Sequence, residues 1–287
     1  MDFLASKTVT KPRLLFRPDP VLGWAFTPGF RVDLKGQGKI IQTIDDAGWR
    51  VVPGQPSGPA PRVAVYGCSF TYGARLQDDE TFCARAQQTH PDLRILNRGI
   101  SGHGTVQNLL QFRRDVARGA VDAAVFAVFS DHRYRNVPHP HRMEQFLSPE
   151  WYRQGIEHIP VLRHGADGQA AITYVPIWQP ITREAELAPF LPDPGMLGMA
   201  MQSVLAMVRD TARAAQVPLR IVLLDQLDMA FNAWMLQQGG DVVDISTPSD
   251  PAHTFLPDDA HPNAHANALY AERLAPVLAD LRAEGGI

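Results

Sequence analysis

The chain has 287 residues, of which 45% are hydrophobic and 20% charged, and its formal net charge is -3. That composition suits a soluble globular protein with a sizeable core, built as one large domain with insertions or as a domain plus a small extension. It offers no general electrostatic attraction to nucleic acid or to an anionic membrane. Two cysteines, Cys68 and Cys83, are too few for a disulfide framework.

Residues 1–60 are rich in proline (Pro12, Pro18, Pro20, Pro28, Pro53, Pro56 and Pro59) and carry short alternating segments such as Lys39-Ile40-Ile41-Gln42-Thr43-Ile44. This pattern predicts a turn-rich extension with two or three short strands, and a linker from Pro53 to Pro61. The opening Met1-Asp2-Phe3-Leu4-Ala5-Ser6-Lys7 has no basic stretch leading into an apolar one, and no window approaches eighteen apolar residues. The expectation is a cytoplasmic protein with no secretory signal and no membrane span.

From residue 62 onward, strand-length apolar runs at 62–66, 93–96, 123–129, 219–224 and 241–245 alternate with helical periodicity around 78–90, 105–118, 196–216, 227–238 and 262–284. Such alternation predicts a five-stranded parallel sheet covered by helices on both faces. Ligand sites in such sheets lie at the carboxyl ends of the strands. A segment from about 134 to 195 interrupts the alternation with Tyr134, Pro138, His139, His141, Phe146, Trp151, Tyr152, Pro176, Trp178 and Phe190. It reads either as a cap or specificity element over the site or as a surface excursion that packs on itself.

Two pieces of this framework carry chemistry. Gly67-Cys68-Ser69-Phe70-Thr71-Tyr72-Gly73 follows the first apolar run, which sets a serine in a glycine-flanked turn at a strand end. A serine hydroxyl is a poor nucleophile until a base takes its proton, and Leu256-Pro257-Asp258-Asp259-Ala260-His261-Pro262-Asn263 offers that base. Pro262 suits the first turn of a helix, so His261 is expected at the entrance to the terminal helix, with Asp258 in the preceding loop accepting from its Nδ1.

These blocks resemble the SGNH/GDSL hydrolase family of esterases and acyl hydrolases over residues 62–287. Gly67 to Gly73 matches the family's nucleophile block, Asn97-Arg98-Gly99-Ile100-Ser101-Gly102 its glycine block, and Asp258-x-x-His261 its last block. Leu22-Gly23-Trp24-Ala25-Phe26-Thr27-Pro28 and Asp45-Asp46-Ala47-Gly48-Trp49-Arg50 resemble an N-terminal extension of some bacterial members. The resemblance implies a flavodoxin-like three-layer α/β/α fold, with residues 1–60 as a β-rich extension and linker and 61–287 as the hydrolase-like domain. It implies Ser69 as nucleophile, His261 as base, Asp258 as its orienting carboxylate, and the Ser69 and Gly102 N–H groups as oxyanion donors.

Two positions depart from the family pattern. Cys68 replaces the usual aspartate, a change that alters the turn's hydrogen bonding while Ser69 keeps the nucleophile position. Ser130 stands where an oxyanion-binding asparagine is usual, so either its hydroxyl substitutes, or Asn136, Arg133 or His132 folds back to do so, or catalysis is weak. Cys68, His103, His132, Arg133 and Asn136 are candidate pocket residues, with His103 open to reading as a solvated loop residue. Asp131 and Arg133 are close enough in sequence for a local ion pair. His261 and His265 have metal-compatible spacing, but His261 has the better role as base, and no metal or organic cofactor is required.

The function expected is an esterase or acyl hydrolase acting through an acyl-enzyme on a small acyl ester or acylated glycan. An acyltransferase using the same intermediate and a non-catalytic binding protein of the same fold are the alternatives. Substrate identity and oligomeric state are not encoded in these motifs.

Overall fold

The computed structural model describes residues 15–34, 40–177 and 194–286. The N-terminal heptapeptide, Pro12, Lys39, Trp178 and Phe190 lie outside them. In chain order, strands β1 (Phe16–Asp19), β2 (Gly23–Phe26), β3 (Arg31–Leu34) and β4 (Ile40–Thr43) precede β5 (Arg62–Gly67), α1 (Ser69–Tyr72) and α2 (Phe82–Thr89). Next come β6 (Arg94–Gly99), α3 (Thr105–Ala117), β7 (Ala123–Val128), α4 (His132–Arg135), α5 (Pro140–Met143) and α6 (Glu150–Arg153). They are followed by β8 (His158–His164), β9 (Ala170–Pro176), α7 (Pro194–Ala215), β10 (Leu219–Asp225), α8 (Met229–Leu236) and β11 (Val242–Thr247). The short strands β12 (Thr254–Phe255) and β13 (Asp259–Pro262) and the helix α9 (Ala264–Gly285) complete the order.

The central sheet has five strands in the order β11-β10-β7-β5-β6, and every pairing in it is parallel. The strand order reverses on either side of β5, the doubly wound arrangement that opens a crevice at strand carboxyl ends. Successive side chains of β5 point to opposite faces, and both faces are buried, which is why Val63-Ala64-Val65-Tyr66 reads as one continuous apolar run. Val63 and Val65 join Phe82 and Cys83 of α2 and Tyr270 and Leu274 of α9 in one core. Ala64 and Tyr66 join Leu109 and Phe112 of α3 and Met201 and Val204 of α7 in the other. This is the three-layer α/β/α architecture expected.

The extension and the insertion share a third core. Trp24 and Phe26 of β2 pack with Phe146, Trp151, Ile159 and Val161 from the insertion and with Tyr72 of α1 and Ile100 after β6. The insertion therefore does not pack on itself alone. Its β8–β9 hairpin is antiparallel, from His158 opposite Pro176 to His164 opposite Ala170. The extension forms four short strands, not two or three, paired antiparallel as β1–β2 and β3–β4. Arg50 fixes it to the segment after α1, since its buried guanidinium pairs with Asp78 at 2.9 Å and donates to Leu76 O at 2.9 Å.

Candidate functional site

Ser69 opens α1 directly after β5. Cys68 before it is extended (φ -103°, ψ -150°), and Gly73 at φ 78° ends the helix after a single turn. The spacing of the block's glycines follows from contact distances. A Cβ at Gly67 would lie 2.0 Å from Thr71 Oγ1, and one at Gly99 would lie 2.3 Å from Tyr72 N. Only glycine at both strand ends lets α1 fold back this tightly. Asn97 holds the turn down, donating from Nδ2 to Thr71 O at 2.8 Å while its Oδ1 accepts from Gly99 N.

The imidazole comes from a different local structure than the sequence suggests. His261 lies in β13, and the terminal helix starts after it at Ala264, capped by the Asn263 side chain. In a strand, residues two apart face the same way. Asp259, not Asp258, therefore meets His261, with Oδ1 at 2.5 Å from Nδ1. Asp258 lies in the preceding turn, exposed, its N–H donating to Phe255 O. Burial alone would raise the Asp259 pKa, but the hydrogen bond and charge of His261, with Arg75 beyond, hold it at about 2. The His261 ring lies 5.7 Å from the ring of Phe70, the residue next to Ser69, and Phe70 stacks on Phe129 at 4.4 Å. The Ser69 turn, His261 and the end of β7 thus meet at one edge of the sheet.

Gly102 sits in the loop after β6 with φ +83°, and a Cβ there would press on Trp24 at 3.1 Å. Trp24 Nε1 donates to Ser101 O at 3.1 Å, so the extension braces this loop from behind. Among the described residues the Gly102 N–H donates to no protein acceptor. The loop is anchored to the end of β5 by Ile100 N donating to Gly67 O at 3.1 Å.

Ser130 is committed elsewhere. Its N–H and its hydroxyl each donate to the buried Asp225 carboxylate at 2.7 Å, tying the ends of β7 and β10 together. A hydroxyl whose proton is already given to a carboxylate has none left for an oxyanion. The residues expected to replace it are also engaged. Asn136 is fully buried, accepting from Val106 N at 3.1 Å and facing Met201 Sδ at 3.6 Å. His132 is fully buried beside Thr105 Oγ1 at 3.4 Å, and burial holds its pKa far below the usual histidine range. Arg133 pairs with Asp228 at 2.6 Å rather than with Asp131, whose carboxylate takes Arg135 at 2.7 Å and His141 at 2.8 Å.

His103 is neither a pocket wall nor a solvated loop residue. It is buried, its Nε2 lies 3.1 Å from Trp24 O, and burial lowers its pKa to about 3. Cys68 is fully enclosed and burial pushes its thiol up, so it packs behind the turn instead of facing a ligand. Of the expected pocket residues, Arg133 lines a cavity of about 650 Å³ bounded also by Tyr134, His139, Leu197, Phe231 and Trp234. Ser69 and His261 are not among its lining residues. Among the described residues no cluster of three or more His, Cys, Asp or Glu could hold a metal ion. None of the described helices is long and apolar enough to cross a membrane.

No family model and no curated protein matches the chain. Solved structures similar to it include several lipolytic hydrolases. A putative lipolytic protein of the G-D-S-L family from Desulfitobacterium hafniense is 13% identical, with a TM-score of 0.43 over 75% of this chain and 98% of that one. TesA is 16% identical, with a TM-score of 0.45 over 77% and 99% of the two chains. The psychrotrophic esterase EstA from Pseudoalteromonas sp. is 11% identical, with a TM-score of 0.43 over 76% and 97%. Likeness this distant carries no chemistry across, and the reading of the site rests on its own geometry.

The contacts of Asp259 with His261 and Arg75 were not expected from the sequence. The signal for Asp259 was the alternation Asp259-x-His261, which has meaning only once 259–262 is recognised as a strand.

Proposed function

We propose that the chain is a serine acyl-ester hydrolase, with Ser69 as nucleophile, His261 as general base and then acid, and Asp259 orienting the imidazole. The observation that carries this is the Asp259–His261 pair seated against Phe70, one residue from a serine that opens a tight strand-to-helix turn. Asp259 accepts from Nδ1, which fixes the tautomer that leaves Nε2 free to take the serine proton. The ester carbonyl carbon gains the Ser69 Oγ, the alkoxide leaves with the proton from His261, and water activated by the same imidazole releases the acid. The Ser69 and Gly102 N–H groups stabilise the oxyanion, and the scheme needs no side-chain donor from Ser130.

The test is labelling with a serine-directed fluorophosphonate, followed by turnover of a panel of short aryl esters. Labelling at Ser69 that disappears in Ser69→Ala is expected. An unlabelled folded wild-type protein would point instead to a non-catalytic binding protein. The capture of Ser130 by Asp225, which removes one oxyanion donor, is the observation favouring that second reading.

A further inference from the structure

Resting on the hydrolase reading, we infer that Arg75 is a positioning residue of the same site, holding the Asp259 carboxylate in the orientation His261 requires. Asp259 uses its two oxygens on different partners. Oδ1 accepts from both the His261 backbone N–H at 2.9 Å and Nδ1 at 2.5 Å, and Oδ2 faces Arg75 Nη1 at 3.4 Å. The carboxylate is thus gripped from both ends, and its rotation about the Cβ–Cγ bond is fixed by a cation on the side away from the imidazole.

The backbone at Arg75 is in a conformation that glycine would adopt more readily. Arg75 has φ +66°, and Gln216 is the one other non-glycine residue with positive φ among the described residues. Glycine would adopt this conformation freely, whereas an arginine there is strained. Its guanidinium lies over the Phe255 ring at 5.2 Å. Phe255 of β12 is the register partner of Asp259 in β13, so ring and carboxylate flank the guanidinium from the same hairpin. The side chain therefore bridges two segments that must agree in position: the turn downstream of Ser69 and the hairpin that carries His261.

The strain supplies a clean test, because Arg75→Gly relieves the backbone while removing the cation. Full-length Arg75→Gly and Arg75→Lys are compared with wild type by thermal midpoint, by kcat and KM on a short aryl ester, and by the low-field proton resonance of His261 Nδ1, which needs no substrate. In Arg75→Gly the midpoint is expected to hold or rise and the resonance to weaken. In that variant kcat should fall about 10-fold to 100-fold with KM nearly unchanged. Arg75→Lys should recover part of the loss. Unchanged kcat and resonance in Arg75→Gly, or losses that track a lowered midpoint, would overturn the assignment while leaving Ser69 labelling, and so the hydrolase reading, intact. Failure of wild-type Ser69 to label would overturn both.

Discussion

Asp259 reaches His261 from two residues away along the same strand, with 2.5 Å between Oδ1 and Nδ1, while its neighbour Asp258 is exposed in the turn before it. Adjacent carboxylates so differently placed make a direct comparison. Asp259→Asn should lower kcat on an aryl ester by about 1000-fold or more, as loss of the orienting carboxylate does in other serine triads. Asp258→Asn should leave kcat within about 3-fold, in the range of exposed substitutions away from the reacting groups. Steady-state kinetics on the two variants checks both, and the reverse ranking would return the role to Asp258.

The same pair has a pH signature. Folding lowers the Asp259 pKa from 3.8 to about 2, so between those values the native state binds fewer protons than the unfolded chain. Its contribution to stability is full above the higher value and is lost as pH falls toward the lower one. Urea unfolding of wild type and Asp259→Asn at about pH 5 and about pH 2.5 should therefore show a difference that shrinks in acid. A difference constant over that window would mean the pair contributes nothing through ionisation.

Ser130 separates a structural role from a catalytic one. Removing its hydroxyl leaves Asp225 Oδ2, whose pKa burial has already raised, without that donor. Ser130→Ala should destabilise the fold by about 1–3 kcal/mol and leave kcat nearly unchanged. A fall of about 100-fold in kcat at unchanged stability would instead make Ser130 an oxyanion donor.

Gly99 is set by backbone, not by flexibility. A methyl there would meet Tyr72 N at 2.3 Å and Thr71 C at 2.7 Å, atoms that cannot rotate away. Gly99→Ala should lose about 1–3 kcal/mol of stability, the usual cost of overpacking, and should abolish Ser69 labelling by displacing α1. Retained labelling would show that α1 tolerates the shift.

Cys68 adjoins Ser69 yet is fully buried, with its thiol pushed up by burial. Iodoacetamide should leave native Cys68 unmodified by mass spectrometry, because the reactive thiolate is both scarce and inaccessible. Cys68→Ala should still label at Ser69. Inactivation that parallels Cys68 alkylation would move the nucleophile one residue back.

The sheet was readable because its signals are local: an apolar run at 62–66 becomes β5 at Arg62–Gly67, and periodicity at 105–118 becomes α3 at Thr105–Ala117. The turn at Ser69 was readable for the same reason, since the glycines that shape it adjoin it. Asp259 was not, because Pro262 suggested a helix start and the hairpin that overrides it depends on Thr254 and Phe255 pairing back. The fate of Ser130 was hidden by distance, as its partner Asp225 lies 95 residues along the chain. His103 was hidden in the same way by Trp24, 79 residues before it.

Trp24 props the Gly102 loop, and Leu22 O receives the side chain of Gln107 at 2.8 Å from the helix that follows it. A chain trimmed to begin at the first central strand would lose the backing of its Gly102 loop. Such a minimal version should bind probes poorly even if its sheet assembles. Transplanting the extension onto another scaffold would carry none of the chemistry with it. Residues that look like an appendage thus brace the loop after β6 from behind, through Trp24 and Leu22.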